Sequence, residues 1–203
     1  MTARRFMNLS RPTIKEKATG KILDQRSPHI FIITGNPGSG KTTYLSELLV
    51  SLGKRNISMT GFLAPAFSTG QQIQSYEIQN IETSERLPLA TRKDTSGWIK
   101  VGHFFFNPEA IRAGNRILNN PGISKYDLIV VDEIGPFELN DKIWADSVSG
   151  LLSLSDATMI WVVRKNLVQE VIRKWNLKCT DTIDIKHIKV PEAEKMILSK
   201  LKS

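Results

Sequence analysis

The sequence is short of several things. It holds one cysteine, Cys179, and three histidines, and no run of about 18 or more apolar residues occurs in it. A lone cysteine cannot close a disulfide within the chain, which excludes a disulfide-stapled scaffold and reads Cys179 as a reduced, inert core or edge residue. His29, His103 and His187 are too scattered for metal-ligand spacing, so no zinc role is assigned to them. The missing apolar run excludes a bilayer-spanning helix. The opening MTARRFMNLSRPTIKEK has paired arginines, as some export signals do. Polar and charged residues stand where the apolar core of a signal should follow. The expectation is a cytoplasmic protein with no membrane attachment, in which the glycosylation-type triplet Asn8-Leu9-Ser10 has no meaning. No internal repeat or low-complexity segment is visible, and 203 residues suit one domain with one well-buried core.

Charge is unevenly spread. The formal net charge is +8, but residues 1–26 hold seven Lys/Arg against two Asp/Glu and residues 186–203 hold five against two. The middle, 27–185, carries 16 of each sign. Basicity therefore belongs to the two ends. Residues 1–27 read as a flexible basic tail, 28–190 as the functional domain and 191–203 as a C-terminal helix packed on or trailing it. The tails are open to two readings, docking elements for nucleic acid or an acidic protein, or plain solvated termini.

Between residues 28 and 190 apolar runs of strand length alternate with helical stretches, a rhythm that generates a mostly parallel sheet covered on both faces. Strands are expected at 29–34, 56–64, 126–133, 157–164 and 178–185. Helices are expected at 41–54, 107–120, 139–153, 166–176 and 191–202. The first of these puts Leu45, Leu48, Leu49 and Leu52 on one stripe, and the second has Pro108 at its first position behind an Asn107 cap. Residues 75–82 and 98–106 read as two further strands flanking a polar loop, 91–97, and form an antiparallel extension because no crossover helix fits between them.

Residues 31–43 read FIITGNPGSGKTT. Placing the most flexible backbone directly after a buried strand requires that something come close to it. Gly35-Asn36-Pro37-Gly38-Ser39-Gly40-Lys41-Thr42 matches the phosphate-binding pattern G-x-x-x-x-G-K-[ST], followed by Thr43. Glycines let successive backbone N–H groups face one anion, and the positive end of the following helix adds to the attraction. Lys41 is expected on the β- and γ-phosphates of a nucleoside triphosphate and the Thr42 hydroxyl on Mg²⁺. Downstream, the apolar run Leu128–Val131 ends in Asp132 and Glu133. Asp132 fits the metal-holding acid of such sites, and Glu133 is placed to orient and deprotonate a water.

A further cation is expected near the transferred phosphoryl group. Arg164 ends the strand 157–164, at the sheet edge where ligands bind. It reads either as that cation or as a surface arginine beside Lys165. Arg92, with Lys93, is a second candidate. Arg112 and Arg116 stand one turn apart with Glu109 before them and read either as lining a phosphate pocket or as a solvated helix face. Phe104, Phe105, Phe106 and Trp98 read mainly as core, with one ring left to face the nucleotide.

With VDEIGPFEL at 131–139, the set GNPGSGKTT, Gly61-Phe62 and VGHFFFNPEAIRAGN at 101–115 resembles the THEP-type P-loop nucleoside-triphosphatases, also called cancer-related nucleoside-triphosphatases, over roughly 29–185. The resemblance implies a three-layer α/β/α P-loop NTPase fold and slow Mg²⁺-dependent hydrolysis of ATP, GTP and other nucleoside triphosphates. It also implies that Glu133 activates water and that Glu138 is a second acid near the site. The segment after Gly61-Phe62 reads LAPAF and lacks the acid and arginine that such proteins usually carry there. The expected activity is nucleoside-triphosphate hydrolysis. Two rivals stand beside it. One is a small-molecule kinase transferring the γ-phosphate to an acceptor hydroxyl, against which only Arg92 and Lys93 hint at a basic lid. The other is a nucleotide-gated binding module.

Overall fold

The segment HIFIITG forms β1 (His29–Gly35), and its side chains alternate between two separate cores. Ile30 and Ile32 enter one core and Phe31 and Ile33 the other, as a strand covered on both faces requires. The computed structural model describes residues 27–70, 72–154 and 157–201. The basic segment 1–26, with its candidate partner-binding role and the Asn8 triplet, lies outside the described residues.

Ten strands make one sheet. In chain order the others are β2 (Met59–Leu63), β3 (Ala66–Thr69), β4 (Gln72–Asn80), β5 (Arg86–Thr91), β6 (Ile99–Val101), β7 (Phe104–Phe106), β8 (Leu128–Ile134), β9 (Thr158–Arg164) and β10 (Cys179–Asp184). The spatial order is β10-β1-β9-β8-β2-β4-β5-β7-β6, with β3 paired to β4. The first five in that order are mutually parallel, and from β4 onward every pairing is antiparallel. The mostly parallel sheet with an antiparallel extension is thus observed.

Among the described residues six α-helices accompany it: α1 (Lys41–Gly53), α2 (Pro108–Leu118), α3 (Pro136–Leu139), α4 (Ala145–Leu151), α5 (Val168–Lys174) and α6 (Val190–Leu198). One face is covered by α1 and α6, whose Leu45, Leu48, Leu52, Ala193 and Ile197 close over Phe31, Ile33, Val130 and Val162. Each leucine removed from water here contributes about 1.5–3 kcal/mol. The Glu194 carboxylate of α6 accepts hydrogen bonds from Ser51 of α1 (2.9 Å) and from Arg55 just beyond it (3.1 Å). The opposite face carries α2, α4 and α5, which bury Ala110, Leu118, Val148, Leu151 and Val171 against Ile32, Val131 and Trp161. Helix, sheet and helix make three layers.

Several elements differ from their expected form. Residues 98–106 are not one strand but a hairpin, β6 and β7, turning at Gly102, whose φ of 63° lies in the left-handed region. The expected helix 139–153 is two short helices, α3 and α4, separated where Asp141 and Ile143 adopt φ of 56° and 59°. Strands β3 and β5 were not expected. Pro88 argues against a strand within RLPLAT, yet it lies opposite Glu77, where the β4–β5 register shifts and the ladder does not need its missing N–H. Cys179, expected in the core or at an edge, is exposed on the edge strand β10.

One close approach fixes β2 against β8 within the parallel half. Gly61 on β2 has φ +120°, and a Cβ there would stand 2.0 Å from the carbonyl oxygen of Val130 on β8.

Candidate functional site

The carboxyl ends of three adjacent strands, β1, β9 and β8, bring the site together. Gly35 at the end of β1 is the register partner of Arg164 at the end of β9, and β8 ends in Asp132, Glu133 and Ile134. The loop leaving β1 turns through Gly38 (φ 73°) and Gly40 (φ 88°) before α1 begins at Lys41. Asn36, Pro37, Gly38, Ser39 and Gly40 are exposed. Gly35 is tightly enclosed, since a Cβ would stand 2.7 Å from the Ser39 hydroxyl and 3.0 Å from Ile185.

Lys41 is 6 % exposed, and its ammonium donates to the Asn36 carbonyl at 3.1 Å. Burial draws its pKa down. The nearby Arg164 acts the same way, while Glu133 and Asp132 oppose both. These four side chains therefore share one electrostatic neighbourhood. Thr42 is half-buried and Thr43 is exposed.

Asp132 is buried on β8. One carboxylate oxygen, Oδ2, accepts from the Ala64 N–H at 3.1 Å. The other, Oδ1, is buried with no hydrogen-bond partner among the described residues. Burial raises this carboxyl to about 6, against the Ala64 N–H and the neighbouring Thr42 hydroxyl, which favour the ionised form. An orphaned acidic oxygen beside a hydroxyl is the donor set a hard divalent cation accepts, so the residues present fit Mg²⁺.

Glu133 turns the other way. Its Oε1 accepts from Arg164 Nε at 2.8 Å, and both side chains are partly open, at 27 % and 33 %. Glu138, at the start of α3, is buried and accepts the Gly135 N–H at 2.9 Å, closing the first turn of that helix. Burial pushes its carboxyl up to about 8, with a further upward contribution from Glu133. Gly135 lies between the two acids. A Cβ there would be 3.6 Å from Glu133 Oε1 and 4.0 Å from Glu138 Oε2.

The other candidates fall elsewhere. Arg112 and Arg116 both pair with Glu109, at 2.7 and 3.0 Å, on an exposed helix face. Arg92 donates to the Ile73 carbonyl at 2.7 Å and lies over the Phe104 ring at 4.9 Å. Phe106 is buried in the core, while Phe104 meets Tyr76 edge-on at 5.4 Å between centroids. His29 contacts Asp181 at 2.8 Å and His187 is exposed.

Two hollows flank the loop. One, of about 280 Å³, is bounded by Gly35, Asn36, Ser39, Lys165, Asp184, Ile185 and Lys186. The other, also about 280 Å³, opens beside Glu133 and Arg164 and is walled mainly by aromatic and aliphatic side chains. Sequence reasoning missed Tyr76, Leu89 and Trp144, which line this second hollow. Nothing local marks them, since each reads as an ordinary core residue until the extension folds over the end of β8.

A glycine loop in left-handed turns, a buried lysine at the head of a helix and an acid at the end of a neighbouring parallel strand define a P-loop nucleotide-binding fold. Residues 29–199 match the family described as NTPase. The chain belongs to that NTPase family. Among relatives, it is 37% identical over 108 residues to the nucleoside-triphosphatase THEP1 of Saccharolobus solfataricus, covering 53% of this chain and 60% of that one. To the same-named protein of Sulfolobus acidocaldarius it is 30% identical over 140 residues, covering 69% and 79% respectively. The chain thus spans less than two thirds of the first relative's length and more of the second's. The crystal structure of THEP1 from Aquifex aeolicus superposes with a TM-score of 0.66 at 24% identity, over 86% of this chain and 99% of that one. The solution structure of a human cancer-related nucleoside triphosphatase gives 0.63 at 21% identity. Both likenesses bear on the fold. Among the described residues no helix is long and apolar enough to cross a membrane.

Proposed function

We propose that the protein is a Mg²⁺-dependent nucleoside-triphosphatase that hydrolyses ATP, GTP and other nucleoside triphosphates to diphosphate and phosphate. The observation that carries this reading is the meeting of the buried Lys41 ammonium, the orphaned Asp132 oxygen and the Glu133–Arg164 pair at the ends of adjacent strands.

The phosphates enter the loop 35–42, where backbone N–H groups and the positive end of α1 meet them. Lys41 exchanges the Asn36 carbonyl for β- and γ-phosphate oxygens. Thr42 and Asp132 would hold the Mg²⁺, which when bound offsets charge on the β- and γ-phosphate oxygens. Glu133 takes a proton from a water whose oxygen attacks the γ-phosphorus, and the bond to the β–γ bridging oxygen breaks. Arg164 fixes the Glu133 carboxylate and would offset charge that develops on the γ-phosphoryl oxygens. The nucleoside end extends toward the hollow at Asp184–Lys186, where Ile185 supplies apolar surface among the polar side chains of Asn36, Ser39, Lys165, Asp184 and Lys186.

The test is a panel of nucleoside triphosphates with magnesium, followed by release of free phosphate. Glu133→Gln is expected to keep nucleotide affinity and to lose about a hundredfold or more in phosphate release. Hydrolysis by Glu133→Gln at the parent rate would remove Glu133 from this role.

A further inference from the structure

Apart from Glu133 and Arg164, the residues lining the hollow beside Glu133 have no part in the hydrolytic mechanism. Its walls come from β4, β5, the β6–β7 hairpin and the segment from Gly135 to Trp144. Leu89, Phe104, Phe106, Phe137, Ile143 and Trp144 give it an apolar interior, with Phe106 and Phe137 meeting edge-on at 5.0 Å. Glu133, Arg164 and Glu138 also line it. So does Ala64, whose N–H holds Asp132 at 3.1 Å. The apolar chamber thus borders Glu133, the residue proposed above to activate the attacking water.

A hydrolase needs only a water at Glu133 and no aromatic chamber behind it. At about 280 Å³, the space lies just below the roughly 300–1,000 Å³ of ordinary ligand pockets, which suits a molecule of one or two rings. Charge narrows the choice further. Arg164 is the sole arginine or lysine among the lining residues and is already paired with Glu133, and His103 is the other basic side chain there. An acceptor carrying its own phosphate would find no unpaired arginine or lysine among them.

We propose that this chamber binds a neutral alcohol with an aromatic or alicyclic body, whose hydroxyl, held at Glu133, replaces water as acceptor of the γ-phosphoryl group. Glu133 takes the hydroxyl proton, the alcohol oxygen bonds to the γ-phosphorus, and the bond to the bridging oxygen breaks. The products are the nucleoside diphosphate and a phosphate monoester. The inference rests on the nucleotide site proposed above and adds a second substrate to it.

Benzyl alcohol, phenethyl alcohol and cyclohexylmethanol serve as probes, each mixed with the full chain, Mg²⁺ and ATP and followed by phosphorus NMR. At least one is expected to give a phosphate monoester whose rate saturates with alcohol while free phosphate release falls. Val101→Trp, which fills the chamber from the hairpin, is expected to cut monoester formation by roughly tenfold or more. Saturation transfer from the parent protein, loaded with a non-hydrolysable ATP analogue, to the bound alcohol reports occupancy without relying on that variant. Free phosphate without any monoester, from all three alcohols, would overturn the acceptor site and leave the hydrolase intact. Saturation transfer without monoester, or equal monoester from Val101→Trp, would also overturn it. Absence of phosphate release even without alcohol would remove both readings.

Discussion

Glu138→Gln is expected to make the protein more stable at alkaline pH and to leave it nearly unchanged in mild acid. Glu138 is 2 % exposed and its carboxyl is raised from an ordinary 4.5 to about 8, chiefly by burial. Between those two values the unfolded chain gives up this proton and the folded protein keeps it, so the unfolded state binds fewer protons. Stability contributed by this group therefore falls as pH rises from about 4.5 and levels off above about 8. At about 1.4 kcal/mol per unit of displacement the full effect is a few kcal/mol, a large part of a typical stability of about 5–15 kcal/mol. Glutamine keeps an acceptor for the Gly135 N–H and supplies an N–H where the neutral acid has its O–H, but it does not titrate. Urea unfolding near pH 5 should give parent and variant midpoints equivalent to within about 1 kcal/mol. Near pH 8 the variant should be ahead by a few kcal/mol. Parallel pH profiles for the two proteins would refute the reasoning, because Glu138 would then be ionised in the folded state as readily as in the unfolded one.

Gly61→Ala puts a methyl against the Val130 carbonyl oxygen at a positive φ and should cost about 3 kcal/mol or more, read as a lower urea midpoint. Unchanged stability would mean that β2 and β8 can separate there. Arg164→Ala frees Glu133 from its 2.8 Å partner and should lower kcat by about a hundredfold, with nucleotide affinity changed much less. Arg164→Lys should recover little of that loss, since an ammonium cannot reproduce the guanidinium fork. Full recovery by lysine would show that charge alone is used at this position.

How much could be read in advance depends on how local each constraint is. The glycine turn into α1 was legible because its requirements are written into one stretch. Gly38 and Gly40 take left-handed dihedrals and Lys41 opens the helix. The parallel strands were legible because a strand buried on both faces must be apolar throughout, as Leu128–Val131 and Met159–Val163 are. The pairing of Glu133 with Arg164 was not, since it depends on β8 lying beside β9, which the sequence does not state. Strand β5 was hidden by Pro88, tolerated only at an irregular register. The break between α3 and α4 was hidden because Asp141 and Ile143 carry left-handed dihedrals without being glycine. The aromatic chamber was least legible, because its walls come from separate segments whose rings each look like core.

The central claim is that the main chain of residues 35–42 cradles a polyanion. Titrating amide-resolved protein with a magnesium-bound, non-hydrolysable ATP analogue tests it most directly. The amide signals of Gly38, Gly40, Lys41 and Thr42 should move together and saturate with nucleotide. If those signals stay fixed while nucleotide binds or turns over, the phosphates lie elsewhere and the account is wrong.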